Sequence, residues 1–256
     1  MPETLEFPDL LRLIDERSTT FRATVASAPD LHVPVPTCPG WTLFDLVQHL
    51  GLGRRKAAAI VAAGPADAPP AASGEGAPRE REALLAWLDE SIERLVTTLR
   101  EAGPDRGCWT WWDDSQSPQT AGGVARHQVQ EVAVHTYDAQ LAVGAPQPLP
   151  EQVALDGVEE FQFTCVATTV AWPHAPAVID YHATEGRSWR LRLSGDGVRV
   201  VRLPAAGEEP GQADASATGP AGDLVLAFYD RVPLDSLKLD GDRRVFDQLI
   251  AWDPSE

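Results

Sequence analysis

The apolar positions of this chain fall into two regimes. Up to about residue 142 they recur at helical spacing, whereas beyond residue 170 they alternate or run together in short segments. Leu10, Leu11, Ile14, Phe21 and Val25 predict a helix over residues 4–28, which the prolines of "APDLHVPVPTCPG" end. A second helix starts sharply at "GWTLFDLVQHLGLGRRKAAAIV": Thr42 can cap it, Asp45 can return the bond from the third helical position, and Trp41 can staple onto Leu46. Leu84, Leu85, Leu88, Ile92, Leu95 and Leu99 predict a third helix over 79–102, and "ARHQVQEVAVHTYDAQLA" (125–142) a fourth. Four helices of this kind predict an N-terminal bundle.

After "GAPQPLP" the pattern changes. Residues 151–170 read as a helix, and "AVIDYHAT", "SWRLRLSG" and "GVRVVRLP" read as strands of an antiparallel sheet separated by glycine-containing turns. A Gly/Pro/Glu-rich loop (204–220) precedes two helices, "AGDLVLAFYDRV" and "GDRRVFDQLIAW". The expected class is α+β: a helical domain over 1–148 and a small α/β domain with an antiparallel sheet over 149–256. Residues 62–78 are low-complexity Ala/Pro/Gly and read as a mobile loop. "CWTWWDDSQSPQTAGG" reads as a loop whose Trp109, Trp111 and Trp112 cover the open end of the bundle.

The fourth helix does not follow the usual amphipathic pattern. His127, Gln128, Glu131, His135 and Asp138 share one face, with Val132 and Ala139 along one edge and Val134 and Leu141 along the other. A solvated polar face lies opposite the apolar residues, not between two strips of them. Glu131 and His135, four apart, stand about 5–6 Å from each other at Cβ, the spacing by which one helix offers two ligands to a metal ion. A carboxylate left uncompensated inside a bundle costs several kcal/mol, and a divalent cation shared with a neutral imidazole satisfies it. His49, among Leu46, Leu50, Leu52 and Ile60 on the second helix, is the natural third ligand, and Gly53 one turn later leaves room above it.

Composition narrows the function further. Among 256 residues, 38 are acidic and 21 basic, a formal charge of −17 with no basic cluster. That argues against nucleic acid and anionic membranes as partners. Three scattered cysteines, Cys38, Cys108 and Cys165, suit a reducing compartment better than a disulfide framework. The N-terminus lacks a basic and then apolar secretory pattern, and no stretch reaches the roughly 18 apolar residues of a membrane span. The expected location is the cytoplasm; oligomeric state is left open.

"VPTCPGWTLFDLVQHL" and "RHQVQEVAVHTYDAQ" resemble the two N-terminal signatures of the mycothiol-dependent maleylpyruvate isomerase family, whose bundle is DinB-like. "IDYHATEGRSWRLRL" and "ASATGPAGDLVLAFYDRVPLDSLKLDGDRRVFDQLIAW" resemble that family's second domain, an α/β module similar to sterol carrier proteins. The resemblance implies zinc, or another divalent metal, held by His49, Glu131 and His135. It also implies mycothiol as the thiol cosubstrate and a small electrophile as substrate. Three protein ligands leave zinc a fourth position, where a thiol is deprotonated and becomes a nucleophile, for isomerisation of a double bond or for S-transfer. Arg231 matches an arginine of the family and is the candidate catalytic residue, meeting an anionic substrate at the domain junction; a cation is also favoured at a helix C-terminus on its own account. The family usually continues "HRWDA" after the second histidine, whereas this chain has "HTYDA", so Thr136 stands where an arginine is expected.

Other residues have a structural reading beside the functional one. Asp138 is either a group that orients a ligand or the partner of a neighbouring helix, His127 a weaker alternative ligand, Arg126 as readily a surface residue, and Cys38 buried packing. Two further function classes compete with the thiol enzyme. One is a non-catalytic module that carries a small ligand in an apolar cavity of the second domain. The other is a hydrolase whose metal activates water.

Overall fold

A computed structural model describes residues 4–71, 76–204 and 213–254. The chain divides into two compact units, one of Met1–Trp111 with Pro118–Leu149 and one of Trp112–Ser117 with Pro150–Glu256.

Four long helices build the first unit: α1 (Phe7–Ser27), α2 (Leu43–Ala63), α3 (Arg81–Ala102) and α4 (Ala121–Ala142). α1 packs chiefly on α4, and α2 on α3. Their apolar stripes meet in a core that includes Phe21, Leu43, Leu46, Leu50, Leu84, Leu88, Val132 and Ala139. The start of α2 is fixed by a reciprocal cap: the Asp45 amide donates to Thr42 Oγ1 at 3.3 Å and the Thr42 amide to Asp45 Oδ2 at 2.9 Å. α4 begins four residues before the sequence pattern placed it, because Thr120 accepts from the Gly123 amide at 3.2 Å and caps the added turn. Gly51 has a steric reason: a Cβ there would lie 2.0 Å from the Trp87 ring that packs on α2. Within the expected mobile loop, residues 72–75 lie outside the described residues.

The second unit opens with α5 (Glu151–Phe161), shorter than the helix expected over 151–170. A π-helical turn (Gln162–Val166) ends it, in which the Ala167 amide donates to the Gln162 carbonyl at 2.8 Å. Strands β1 (Ala177–Ala183), β2 (Ser188–Ser194) and β3 (Gly197–Leu203) form the expected antiparallel meander. β4 (Ala215–Gly219) falls inside the segment read as a loop, and β5 (Lys238–Gly241) was also unanticipated. The order is β3-β2-β1-β4-β5, and β4 lies parallel to β1, so the sheet is mostly rather than wholly antiparallel. "ASATG" hides its strand because Thr218 is its one β-branched residue and the rest are small residues that do not mark a strand. α6 (Ala221–Phe228) and α7 (Arg243–Ala251) complete the unit.

The edge strand β3 is covered by its own chain. Gln116 donates through Nε2 to the Val200 carbonyl at 2.9 Å and accepts from the Val200 amide at 2.6 Å. Thr168 exchanges two backbone bonds with Val198. An edge satisfied in this way offers no template for another strand. These bonds also explain why Trp112–Ser117 belongs to the second unit. Trp112 is buried and falls in the second unit, and Trp111 is exposed, its ring 5.8 Å from that of His127 on α4. Among the described residues no helix is long and apolar enough to cross a membrane.

Candidate metal centre

His49 comes from the second turn of α2, and Glu131 and His135 from successive turns of α4. His49 Nε2 lies 3.5 Å from Glu131 Oε2, and His135 Nε2 lies 3.9 Å from the same oxygen. The two imidazoles meet edge to face, centroids 5.0 Å apart, and one donor atom from each of the three residues lies within 4.8 Å of the others. Tetrahedral zinc with bonds of about 2.1 Å separates its ligand atoms by roughly 3.4 Å. The donor set therefore fits after side-chain adjustments of about an ångström.

The ligands are less enclosed than a burial argument suggests. Side-chain exposure rises from 11% at His135 through 27% at Glu131 to 41% at His49. His135 and Glu131 form the floor, and His49 stands at the mouth, beside Trp41 at 4.9 Å between ring centroids. Gly53 leaves open space near that mouth: a Cβ there would meet nothing within 4 Å.

Burial opposes ionisation of Glu131, but the hydrogen bond with His49 and the charges of His135, His127 and His49 outweigh it and hold the carboxyl at about 2. The carboxylate is thus ready to ligate with no proton to lose at neutral pH. His127 Nε2 lies 3.8 Å from Glu131 Oε1, on the other carboxylate oxygen, which leaves it beside the donor set rather than in it.

Beneath His135 lies a second layer. Its Nδ1 is 2.8 Å from Asp138 Oδ2, and Asp138 also accepts from Thr37 Oγ1 at 2.6 Å and, more weakly, from Cys38 Sγ at 3.5 Å. Asp138 is fully buried. With Asp138 as acceptor the proton sits on Nδ1, which turns the Nε2 lone pair toward the donor set. Of the two readings of Asp138, the orienting one matches this geometry. Cys38 packs, partly buried, against the helical core, and its thiol also reaches Asp138. Cys38, His135 and Asp138 could themselves group around a metal, but a carboxylate already accepting from three donors serves better as support than as ligand.

Arg54 is the residue sequence reasoning passed over. In "GLGRRK" it reads as a solvated base, yet it is 1% exposed. Nη2 donates to Ser18 Oγ at 2.9 Å, Nη1 has no partner among the described residues, and burial pushes its pKa down to about 10 against the pull of Glu131. Its only sequence signal is position: it shares the inward side of α2 with Leu50, Ala57 and Val61. Thr136, where the family carries an arginine, is buried and returns its hydroxyl to the Val132 carbonyl at 2.5 Å. Arg231 lies in the second unit just after α6, half-buried, with Nη1 donating to the Tyr229 carbonyl at 2.6 Å.

A helical unit bearing a two-histidine, one-carboxylate donor set, followed by a unit with a five-stranded, mostly antiparallel sheet, defines the class. Residues 11–140 match the model of the mycothiol maleylpyruvate isomerase N-terminal domain, and residues 152–248 that of the C-terminal domain of the same family. The chain belongs to the mycothiol maleylpyruvate isomerase family. Its fold is that of the crystal structure of a mycothiol-dependent maleylpyruvate isomerase (TM-score 0.61, 16% identity, 94% of this chain and 96% of that one). It is equally that of a histidine-to-alanine mutant of that enzyme (TM-score 0.60, 16% identity, the same coverage). No curated protein matches the chain in a sequence comparison.

Proposed function

We propose that the chain is a metal-dependent thiol enzyme: His49, Glu131 and His135 hold a divalent ion, zinc by its preference for this donor set, and mycothiol is the cosubstrate attacking a small electrophile. The observation that carries this reading is a carboxylate met by imidazole nitrogens from two helices, at a mouth open enough to admit a further ligand. A zinc ion with three protein ligands supplies a fourth position at which a thiol loses its proton, for reversible addition to a double bond or for displacement of a leaving group. The chain's own residues do the rest. Asp138 fixes the His135 tautomer, and Trp41 walls one side with an apolar ring. Arg231 is proposed to hold an anionic group of the substrate, on the strength of the family resemblance. Net isomerisation is favoured over S-transfer by the family name alone, and location in the cytoplasm follows from the dependence on a low-molecular-weight thiol.

The test uses the full chain. Metal analysis should find about one zinc per chain, lost in His49→Ala. The visible spectrum of a cobalt-substituted sample should shift on adding mycothiol. A metal-free native protein would overturn the centre. A cobalt spectrum blind to thiol would overturn thiol activation and favour the water-activating hydrolase.

A further inference from the structure

Apolar side chains that the core does not claim stand around the donor set. Among the described residues of the first unit, two large apolar side chains are exposed, Leu52 at 38% and Trp111 at 52%. Both border the candidate metal centre. Leu52 follows His49 by three residues on α2, which puts the two on the same side of that helix. The Trp111 ring meets the His127 ring at 72° with centroids 5.8 Å apart, and His127 Nε2 lies 3.8 Å from Glu131 Oε1. Trp41 adds a partly buried indole beside His49. Exposed apolar residues scattered singly need no explanation, but a set gathered at the border of one site marks a surface kept for a ligand.

Trp111 is the least expected member of that set. Thr110 before it and Trp112 after it are both buried. The backbone is thus anchored on either side while the indole between them stands half in water. A polar residue would fill the position without leaving a large apolar surface exposed.

We propose that Trp111 is a specificity-determining residue for the thiol cosubstrate: its indole is the platform on which the first sugar ring of mycothiol lies. The proposal deepens the thiol-enzyme reading and rests on it for the identity of the ligand. A thiol that takes the fourth position at the metal sends the rest of its molecule out over the mouth, so the border meets the body of the cosubstrate and not its sulfur. In mycothiol that body is an acylated cysteine joined through an amide to a sugar. The sugar therefore starts about 7 Å from the sulfur, two extended residue lengths. Trp111 stands at a matching remove, with the His127 ring between it and the Glu131 carboxylate. A sugar ring offers one face of C–H groups to an indole and keeps its hydroxyls in water. A wholly apolar body gains most in an enclosed pocket, whereas a half-exposed ring suits a ligand with one wet edge.

The test uses the zinc-loaded full chain and S-methyl mycothiol, which has no thiol proton to lose and so reads the platform apart from metal ligation. Saturation-transfer NMR should find its sugar C–H protons against the protein at millimolar concentration. Trp111→Ala should weaken that binding about tenfold, the scale on which a ring laid on an aromatic side chain contributes. Trp111→Tyr should hold it within about threefold, and zinc content and melting temperature should stay native in both variants. In the cobalt-substituted chain, mycothiol should bind about tenfold more tightly than N-acetylcysteine methylamide, a comparable thiol without the sugar, and Trp111→Ala should level the two. The proposal is overturned if S-methyl mycothiol does not bind native protein, or if Trp111→Ala binds it equally well. It also fails if Trp111→Ala weakens both thiols alike, which would make Trp111 a support of the donor set. A cobalt spectrum blind to both thiols, with S-methyl mycothiol still bound and still dependent on Trp111, would leave the platform standing and overturn thiol activation alone.

Discussion

Two regions of the molecule bury carboxylates, and they treat them in opposite ways. In the second unit Asp180 and Arg190 face each other across β1 and β2 and close a bidentate pair at 2.8 and 2.7 Å, both nearly sealed from solvent. Glu159 likewise accepts from Trp189 Nε1 at 3.1 Å and from Arg202 Nε at 2.6 Å. The chain supplies each charge with its own countercharge or donor. In the first unit Glu131 is met by imidazoles at 3.5 to 3.9 Å, contacts too long for strong hydrogen bonds, and one of those imidazoles stands half in water. A buried charge that the chain pairs closely reads as structural, whereas one met by imidazoles at these distances has donors that a bound cation could share. The contrast is what turns a cluster of polar residues into a candidate metal centre.

The comparison breaks most visibly at the sealed pair. Asp180→Ala leaves the Arg190 guanidinium without its bidentate partner and should destabilise the protein by about 3–5 kcal/mol. Chemical denaturation reads that loss directly. Zinc content of the folded fraction should not change, because the proposed donors belong to the other unit. A variant as stable as native protein would mean that the pair contributes no more than a surface one.

Glu131→Gln probes the opposite case. The amide keeps the shape but removes the charge, and zinc affinity should fall roughly a thousandfold, beyond the 10–100-fold typical of losing a mere supporting residue. Competition with a chromogenic chelator gives the number. Native protein should gain about 2.7 kcal/mol of stability at a free zinc concentration one hundred times its dissociation constant, and the variant almost none at that concentration. Equal zinc affinity in both proteins would refute Glu131 as a ligand.

These two carboxylates also differ in how legible they were. Glu131 was readable because its helix is regular: four residues separate it from His135, and apolar strips on both sides mark the face as inward. His49 followed from a capped helix with a clear apolar stripe. Asp180 was not singled out, since strand alternation says which face a residue takes but not which strand will lie opposite. Arg54 and β4 were missed for the same reason. Arg54 is buried only because α1 brings Ser18 to it, and the plain "ASATG" becomes a strand only because β1 offers an edge. That Trp112–Ser117 groups with the second unit was not legible, because Gln116 finds its partner Val200 eighty-four residues away. Local periodicity carried the helical unit and its site; the sheet depended on pairings that no short stretch encodes.

The smallest expected effect is the sharpest test of the proposed metal site. Asp138 is buried like Asp180, but it bonds the ring of His135, a proposed ligand, instead of closing a pair with an arginine. Asp138→Asn removes little volume and keeps the Oδ1 acceptor for Thr37, while the Cys38 thiol loses its weak acceptor where the amide nitrogen replaces Oδ2. The amide can also present N–H to His135 Nδ1, which would favour the tautomer with its proton on Nε2, the nitrogen that must ligate. Zinc affinity should therefore fall about 10–100-fold, with a smaller loss of stability than Asp180→Ala causes. Nitrogen-15 shifts of the His135 ring in the metal-free protein read the tautomer independently of affinity. If the proton stays on Nδ1 and zinc binding is unchanged, Asp138 is structural like its counterpart in the sheet. If the proton moves and zinc weakens together with it, the fourth helix holds its histidine in the orientation that a cation needs.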